Sequence, residues 1–276
     1  MSMENLINKY FRPGRLPHIW CPGCGNGVVT GCIVKAIDKL GLDKDNVAVI
    51  SGIGCSSRAS GYLDFNTVHS AHGRALPVAT GVKLADPSLK VLVVTGDGDA
   101  TAIGGNHLIH AARRNIDMTV VLFNNNIYGM TGGQYSPLTP QGSKATTAPY
   151  ETIEPAFDIT ELAKAAGATF VARATTFHAQ ILADLIAKGM EHKGFSIIEA
   201  VSGCPISFGR QNKIGGPAEM MKWQRDHAVM LAAWNKLSDE QKAGKFPIGV
   251  LHEDNSRKEY TEAYDELIAR AQGGNK

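Results

Sequence analysis

Short apolar runs alternate with amphipathic stretches along the first two hundred residues. Val47-Ala48-Val49-Ile50, Val91-Leu92-Val93-Val94, Met118-Thr119-Val120-Val121-Leu122-Phe123, Ala168-Thr169-Phe170-Val171-Ala172 and Phe195-Ser196-Ile197-Ile198-Glu199-Ala200 are almost continuously apolar. Runs of this length and composition predict strands buried on both faces, the signature of a parallel sheet. Helical spacing of apolar positions separates them, over about 26–40, 75–85, 158–166 and 178–192. Ile103, His107, Leu108, Ala111 and Ala112 continue the pattern between two of the strands. The alternation predicts an α/β fold with a doubly wound, mostly parallel sheet.

Two segments depart from it. Residues 124–157 carry Gly132-Gly133, several prolines and a Ser/Thr-rich stretch without periodicity, too long for a bland connection and therefore a candidate functional loop. Beyond Cys204 the alternation stops: Gly215-Gly216-Pro217 precedes a helix expected near 218–237, then a charged end. The expected organisation is one domain over residues 1–204 and a C-terminal extension over 205–276, packed on that domain or on a partner subunit. The final ten residues also read as a solvated tail. With 276 residues and 43% hydrophobic content, the chain is long enough to bury a full core.

A net charge of +2, without a basic stripe or charge block, gives no indication of nucleic acid. No apolar run approaches the ~20 residues of a spanning helix, so no membrane is expected. The opening Met1-Ser2-Met3-Glu4-Asn5 lacks the basic and apolar regions of a signal peptide, and a cytoplasmic location is expected. Neither a G-x-G-x-x-G fingerprint nor a P-loop is present, which argues against nicotinamide or nucleoside-triphosphate chemistry.

Five cysteines carry the first candidate chemistry. Cys21-Pro22-Gly23-Cys24 is a CxxC, Cys55 follows the 47–50 strand, and Cys204 follows the 195–200 strand. Three loops thereby bring four thiols toward one sheet edge. Four such ligands suit a [4Fe–4S] cluster or structural zinc, and unrelated thiols are the third reading. A chain without an export signal disfavours disulfides. Cys32, among Val28, Val29, Ile33 and Ala36, reads as a small buried apolar residue.

Gly96-Asp97-Gly98-Asp99 ends one apolar run and Asn124-Asn125 ends the next. Ligands in open α/β sheets bind outside the carboxyl ends of the strands, where both would lie. The pair resembles the thiamine-diphosphate binding motif. That resemblance implies a Mg²⁺ ion held by the Asp97 carboxylate, the Asn125 amide oxygen and the Ile127 backbone carbonyl, bridged to diphosphate oxygens as hard cations prefer.

Trp20-Cys21-Pro22-Gly23-Cys24-Gly25, Gly52-Ile53-Gly54-Cys55-Ser56, His72-Gly73-Arg74-Ala75 and Tyr128-Gly129-Met130-Thr131-Gly132-Gly133-Gln134 extend the likeness. Together with the motif above, they make residues 17–210 resemble the beta subunit of a 2-oxoacid:ferredoxin oxidoreductase. Lys144-Ala145-Thr146-Thr147 and Gly249-Val250-Leu251-His252 make it most similar to the 2-oxoglutarate branch. The resemblance implies a thiamine-diphosphate-binding fold of the diphosphate type, one [4Fe–4S] cluster on Cys21, Cys24, Cys55 and Cys204, and coenzyme A as co-substrate. It assigns Ile53, Gly54, Cys55, His72, Gly73, Arg74, Gly96, Asp97, Gly98, Asp99, Asn125, Ile127, Gly129, Met130 and Thr131 to the cofactor, with Met130 also shaping the substrate pocket. His69 is a further candidate.

The implied reaction is coenzyme A-dependent oxidative decarboxylation of 2-oxoglutarate to succinyl-CoA and CO₂, with electrons passing through the cluster to ferredoxin, or its reverse in CO₂ fixation. An alpha subunit is expected to supply the glutamate that serves the aminopyrimidine, in a heterodimer or a dimer of heterodimers. Arg58, three residues after Cys55, is the candidate grip for the second carboxylate of a dicarboxylic substrate. An exposed arginine, or one paired with Asp64, is the plain alternative. Pyruvate or another 2-oxoacid is the alternative substrate. A non-redox thiamine-diphosphate decarboxylase and a non-catalytic iron–sulfur carrier are the alternatives of other classes.

Overall fold

The computed structural model describes residues 3–273. Eight strands form one sheet: β1 (Val47–Ser51), β2 (Asn66–His69), β3 (Lys90–Gly96), β4 (Met118–Asn124), β5 (Phe170–Thr175), β6 (Phe195–Val201), β7 (Ala228–Met230) and β8 (Phe246–Glu253). Their order is β2-β1-β3-β4-β6-β5-β8-β7, and every pairing except the antiparallel β5–β8 contact is parallel. The doubly wound expectation therefore holds, with an antiparallel addition at one side. Each expected strand is present within a few residues of its apolar run.

Alternating side chains feed two cores. Val49, Leu92, Val94, Val121 and Phe123 face one side, where α1 (Met3–Tyr10), α2 (Asn26–Lys39) and the later helix Ala179–Glu191 cover them. Ile50, Val93, Val120 and Leu122 face the other. That second side is closed after the short α3 (Ala59–Tyr62) by α4 (Ala75–Ala85), α5 (Gly105–Arg114) and α6 (Ile159–Ala165). The helix Ala179–Glu191 is α7. Burial on both faces is why β1 and β4 carry almost no polar side chain.

Three features differ from the sequence expectation. Ile103 is 48% exposed, because Asp99–Ile103 is a wide single turn before α5 and only Leu108, Ala111 and Ala112 of that pattern face the core. The helix expected near 218–237 is broken: α8 (Pro217–His227) ends, β7 is extended, and a short α9 (Leu231–Trp234) follows. Pairing of Ala228, Val229 and Met230 with β8 outweighs their helical spacing. The segment after Cys204 also supplies β8 to the main sheet, before α10 (Asp239–Lys242) and α11 (Tyr260–Ala271) are counted around it. α11 covers the first half of the stretch read as a tail, to Ala271; residues 274–276 lie outside the described part.

Candidate active site

Cys55 follows β1, Asp97 follows β3, Asn125 follows β4 and Cys204 follows β6. Those four strands are consecutive in the sheet, so their carboxyl ends present one continuous edge. A cleft opens there, with an empty volume of about 460 Å³ including its mouth. It is lined by Ile53, Gly54, Cys55, His72, Gly96, Asp97, Gly98, Asp99, Asn125, Ile127, Gly129, Met130 and Thr131, together with Ser56, Phe123 and Tyr128. The chain turns back after β1 to form β2 and then crosses to β3, so the cleft sits at the switch point of the sheet.

Asp97 is 4% exposed. Burial drives its carboxyl up to about 7, against the Ser136 hydroxyl and the Gly98 and Ile127 amides, which favour the charged form. Ser136 Oγ donates to Asp97 Oδ2 at 2.6 Å. Asn126 adopts φ +63°, and the Ile127 N–H donates to Asn125 Oδ1 at 3.2 Å, so the turn after β4 is closed by its own side chain. A buried carboxylate beside an amide oxygen suits a divalent cation, whose charge removes the cost of ionisation.

Asp99 fastens a second loop. Its Oδ1 accepts from Gly73 N at 2.7 Å and from Ile53 N at 3.3 Å, and its Oδ2 from Thr95 Oγ1 at 2.7 Å. His72 Nδ1 lies 2.7 Å from Asp99 Oδ1 without an aligned hydrogen bond. A Cβ on Gly98 would lie 2.1 Å from the Tyr128 ring, and Tyr128 OH donates to Gly98 O at 2.9 Å. The second glycine of the motif is thus required by an aromatic wall.

The thiols converge on the same edge. Cys24 is pushed up to about 12 and Cys55 to about 11, in both cases mainly by burial and further by neighbouring cysteines. For Cys24 those neighbours are Cys204, Cys55 and Cys21. A Cβ on Gly129 would sit 3.5 Å from Cys55 Sγ and 3.6 Å from Cys204 Sγ, ordinary contact distances that place both sulfurs beside this residue. The Asn26 side chain, at the start of α2, is fully buried with both amide atoms unpaired by protein. Among the described residues, no three His, Cys, Asp or Glu side chains gather as tightly as a single ion requires. An iron–sulfur cube takes one thiolate at each of four corners and tolerates wider separation than one tetrahedral zinc, whose sulfurs each lie ~2.3 Å from the metal. Cys32 lies apart, buried in α2, its thiol 3.2 Å from Ala179 O.

Other assigned residues stand outside the cleft wall. Gly73 contributes its N–H to Asp99, and the exposed Arg74 reaches Gly73 O at 3.5 Å. His69 is exposed on the edge strand β2. Arg58 is exposed on the turn after Cys55 and makes no ion pair among the described residues. Asp64, its suggested partner, pairs with Lys44 at 2.5 Å. Ser136 was not expected; a lone serine in a proline-rich loop gives no sequence signal of where it folds back.

Residues 52–200 match the model of the thiamine pyrophosphate enzyme family, C-terminal TPP binding domain. The chain is 54% identical over 246 residues to the 2-oxoglutarate synthase subunit KorB of Methanothermobacter marburgensis, covering 89% of this chain and 86% of that one. It belongs to the 2-oxoacid:ferredoxin oxidoreductase beta-subunit family. The KorB subunit of Methanocaldococcus jannaschii is 50% identical over 262 residues, 95% of this chain and 97% of its own. A solved 2-oxoglutarate:ferredoxin oxidoreductase from Magnetococcus marinus, with 2-oxoglutarate, coenzyme A and succinyl-CoA bound, superposes with a TM-score of 0.87. It is 37% identical, and the match covers 98% of this chain and 91% of that one. The family match runs from the turn after β1 into β6 and so takes in the loops that make the cleft. No helix among the described residues is long and apolar enough to cross a membrane.

Proposed function

We propose that this chain is the beta subunit of a cytoplasmic 2-oxoglutarate:ferredoxin oxidoreductase. With an alpha subunit it converts 2-oxoglutarate and coenzyme A to succinyl-CoA and CO₂, or runs in reverse. The observation that carries the reading is a shared wall: Cys55 lines the cleft holding Asp97, and Gly129 in that wall faces both the Cys55 and Cys204 sulfurs. A non-redox decarboxylase has no use for the thiols, and a plain electron carrier has no use for the buried carboxylate. The relatives' names supply the substrate class.

Asp97, Asn125 and the Ile127 carbonyl would hold Mg²⁺, and Cys21, Cys24, Cys55 and Cys204 a [4Fe–4S] cluster. Thiamine diphosphate supplies the electron sink for loss of CO₂, and the cluster supplies one-electron acceptance on the way to ferredoxin. The chain's own groups place these partners. Ser136 orients the Asp97 carboxylate, Gly98 and Tyr128 set the width of the cleft, and Asp99 holds the 72–73 loop against it. Met130, 47% exposed at the mouth, would contact substrate, and Arg58 would meet its far carboxylate. Residues 1–204 carry this site; the 205–276 extension braces it and faces the alpha subunit, in a heterodimer or dimer of heterodimers.

The test is anaerobic co-production of the chain with its alpha subunit, followed by viologen and ferredoxin reduction against a panel of 2-oxoacids. Reduction that requires coenzyme A and is fastest with 2-oxoglutarate is expected. CO₂ release without reduction, or zinc in place of iron and sulfide, would overturn the reading.

A further inference from the structure

Three buried polar residues run through the sheet behind the turn that follows β4, and a fourth, the exposed Asp158, ends the series. Asn124, the last residue of β4, is 8% exposed; Glu199 of β6 is 4% and Arg173 of β5 is 7%. Asn124 Nδ2 donates to Glu199 Oε1 at 2.7 Å, and Arg173 Nε donates to Glu199 Oε2 at 2.6 Å. Arg173 Nη2 then reaches Asp158 Oδ1 at 2.7 Å, the carboxylate that also caps α6. At the other end, Asn124 Oδ1 accepts from Asn126 N at 3.1 Å. Asn126 stands between Asn125 and Ile127, the two residues of this turn assigned to Mg²⁺.

A buried ion pair is weak evidence for stability, since well-packed apolar residues of similar size often do as well or better. Its retention here, in strands otherwise almost wholly apolar, calls for a role in placing something. Both oxygens of Glu199 are engaged, one by the cation and one by Asn124, so the carboxylate cannot swing without breaking a bond. That fixes the Asn124 amide, which fixes the Asn126 N–H and the left-handed turn around it. From the loop side, Thr139 Oγ1 donates to Asn126 O at 2.6 Å, so the turn is fastened from both directions.

We infer that Arg173 and Glu199 are positioning residues, acting through Asn124 to hold the Asn125 and Ile127 oxygens where a divalent cation needs them. The inference rests on the Mg²⁺ reading above. Loss of such outer partners typically weakens metal binding by about 10–100-fold.

The test titrates Mg²⁺, at saturating thiamine diphosphate, into the metal-free complex with its alpha subunit. It measures the affinity beside the melting temperature of the metal-free protein. The paired variant Arg173→Met with Glu199→Leu is expected to melt close to wild type and bind Mg²⁺ about 10–100-fold more weakly. Asn124→Ala leaves the ion pair in place and is expected to show the same loss, which keeps the test decisive if the paired variant fails to fold. Lys83→Met with Asp117→Leu, which removes a 2.7 Å buried ion pair away from the site, is the control and should leave Mg²⁺ affinity unchanged. Wild-type affinity in either Asn124→Ala or a folded paired variant would overturn the inference. So would a loss that appears equally in the control. A wild-type complex that binds no Mg²⁺ would instead overturn the metal reading itself.

Discussion

A carboxylate that is 4% exposed and faces a single side-chain hydroxyl costs a fold stability unless something offsets it. Asp97→Ala is therefore expected to leave the metal-free protein at least as stable as wild type while abolishing Mg²⁺-dependent binding of thiamine diphosphate. The readout is the thermal shift on adding both; a shift of wild-type size in the variant would refute the assignment. Arg58 presents the opposite case, an exposed cation on the turn after Cys55 without an ion-pair partner among the described residues. Arg58→Ala should raise KM for 2-oxoglutarate strongly and that for pyruvate little, a difference of about 2–5 kcal/mol if the substrate carboxylate is buried against it. Equal losses for both substrates would move Arg58 from specificity to structural support. At this scale the sequence was informative wherever chemistry and strand end coincided, as at Asp97 and Cys55. It was silent about Ser136, whose position depends on how a long aperiodic loop folds back.

The elements explain why the site was legible in outline. β1, β3, β4 and β6 are apolar on both faces, so their runs stood out, and the polar residue ending each run marked the cleft. β2 was not legible: it is an edge strand, Asn66-Thr67-Val68-His69, mostly exposed and without an apolar run. β8 was hidden by Pro247 and Gly249 and by its antiparallel placement, with a register shift opposite Val171 and Ala172. Glu199 is a charge inside one apolar run and Arg173 directly follows another, the pattern signal for the polar chain behind β4. The same logic separates the cysteines. Cys204→Ser, at a strand end, should lower the iron content of anaerobically purified protein, because hydroxyl is a poorer iron ligand than thiolate. Cys32→Ser, inside α2, should retain full iron, its hydroxyl taking over the contact with Ala179 O. Equal iron in both variants would remove Cys204 from the ligand set.

On the proposed reading the molecule as a whole presents half of a site. The cleft stands open at the sheet edge, and the loop that supplies Ser136 continues outward to Tyr150, Ile153 and Phe157, which are 95%, 81% and 53% exposed. Three large apolar side chains this bare, close in sequence to the Ser136 that holds Asp97, are suited to burial against the proposed alpha subunit. Burying one such side chain contributes about 1.5–3 kcal/mol, and each 1.4 kcal/mol is tenfold in affinity. Tyr150→Asp with Ile153→Asp should then weaken assembly with the alpha subunit by at least about a hundredfold, with the melting temperature of the isolated chain unchanged because neither side chain packs on it. Sedimentation of the mixed subunits over a concentration series gives the measurement. Assembly as tight as wild type would place the alpha subunit on another face and leave this loop without that role.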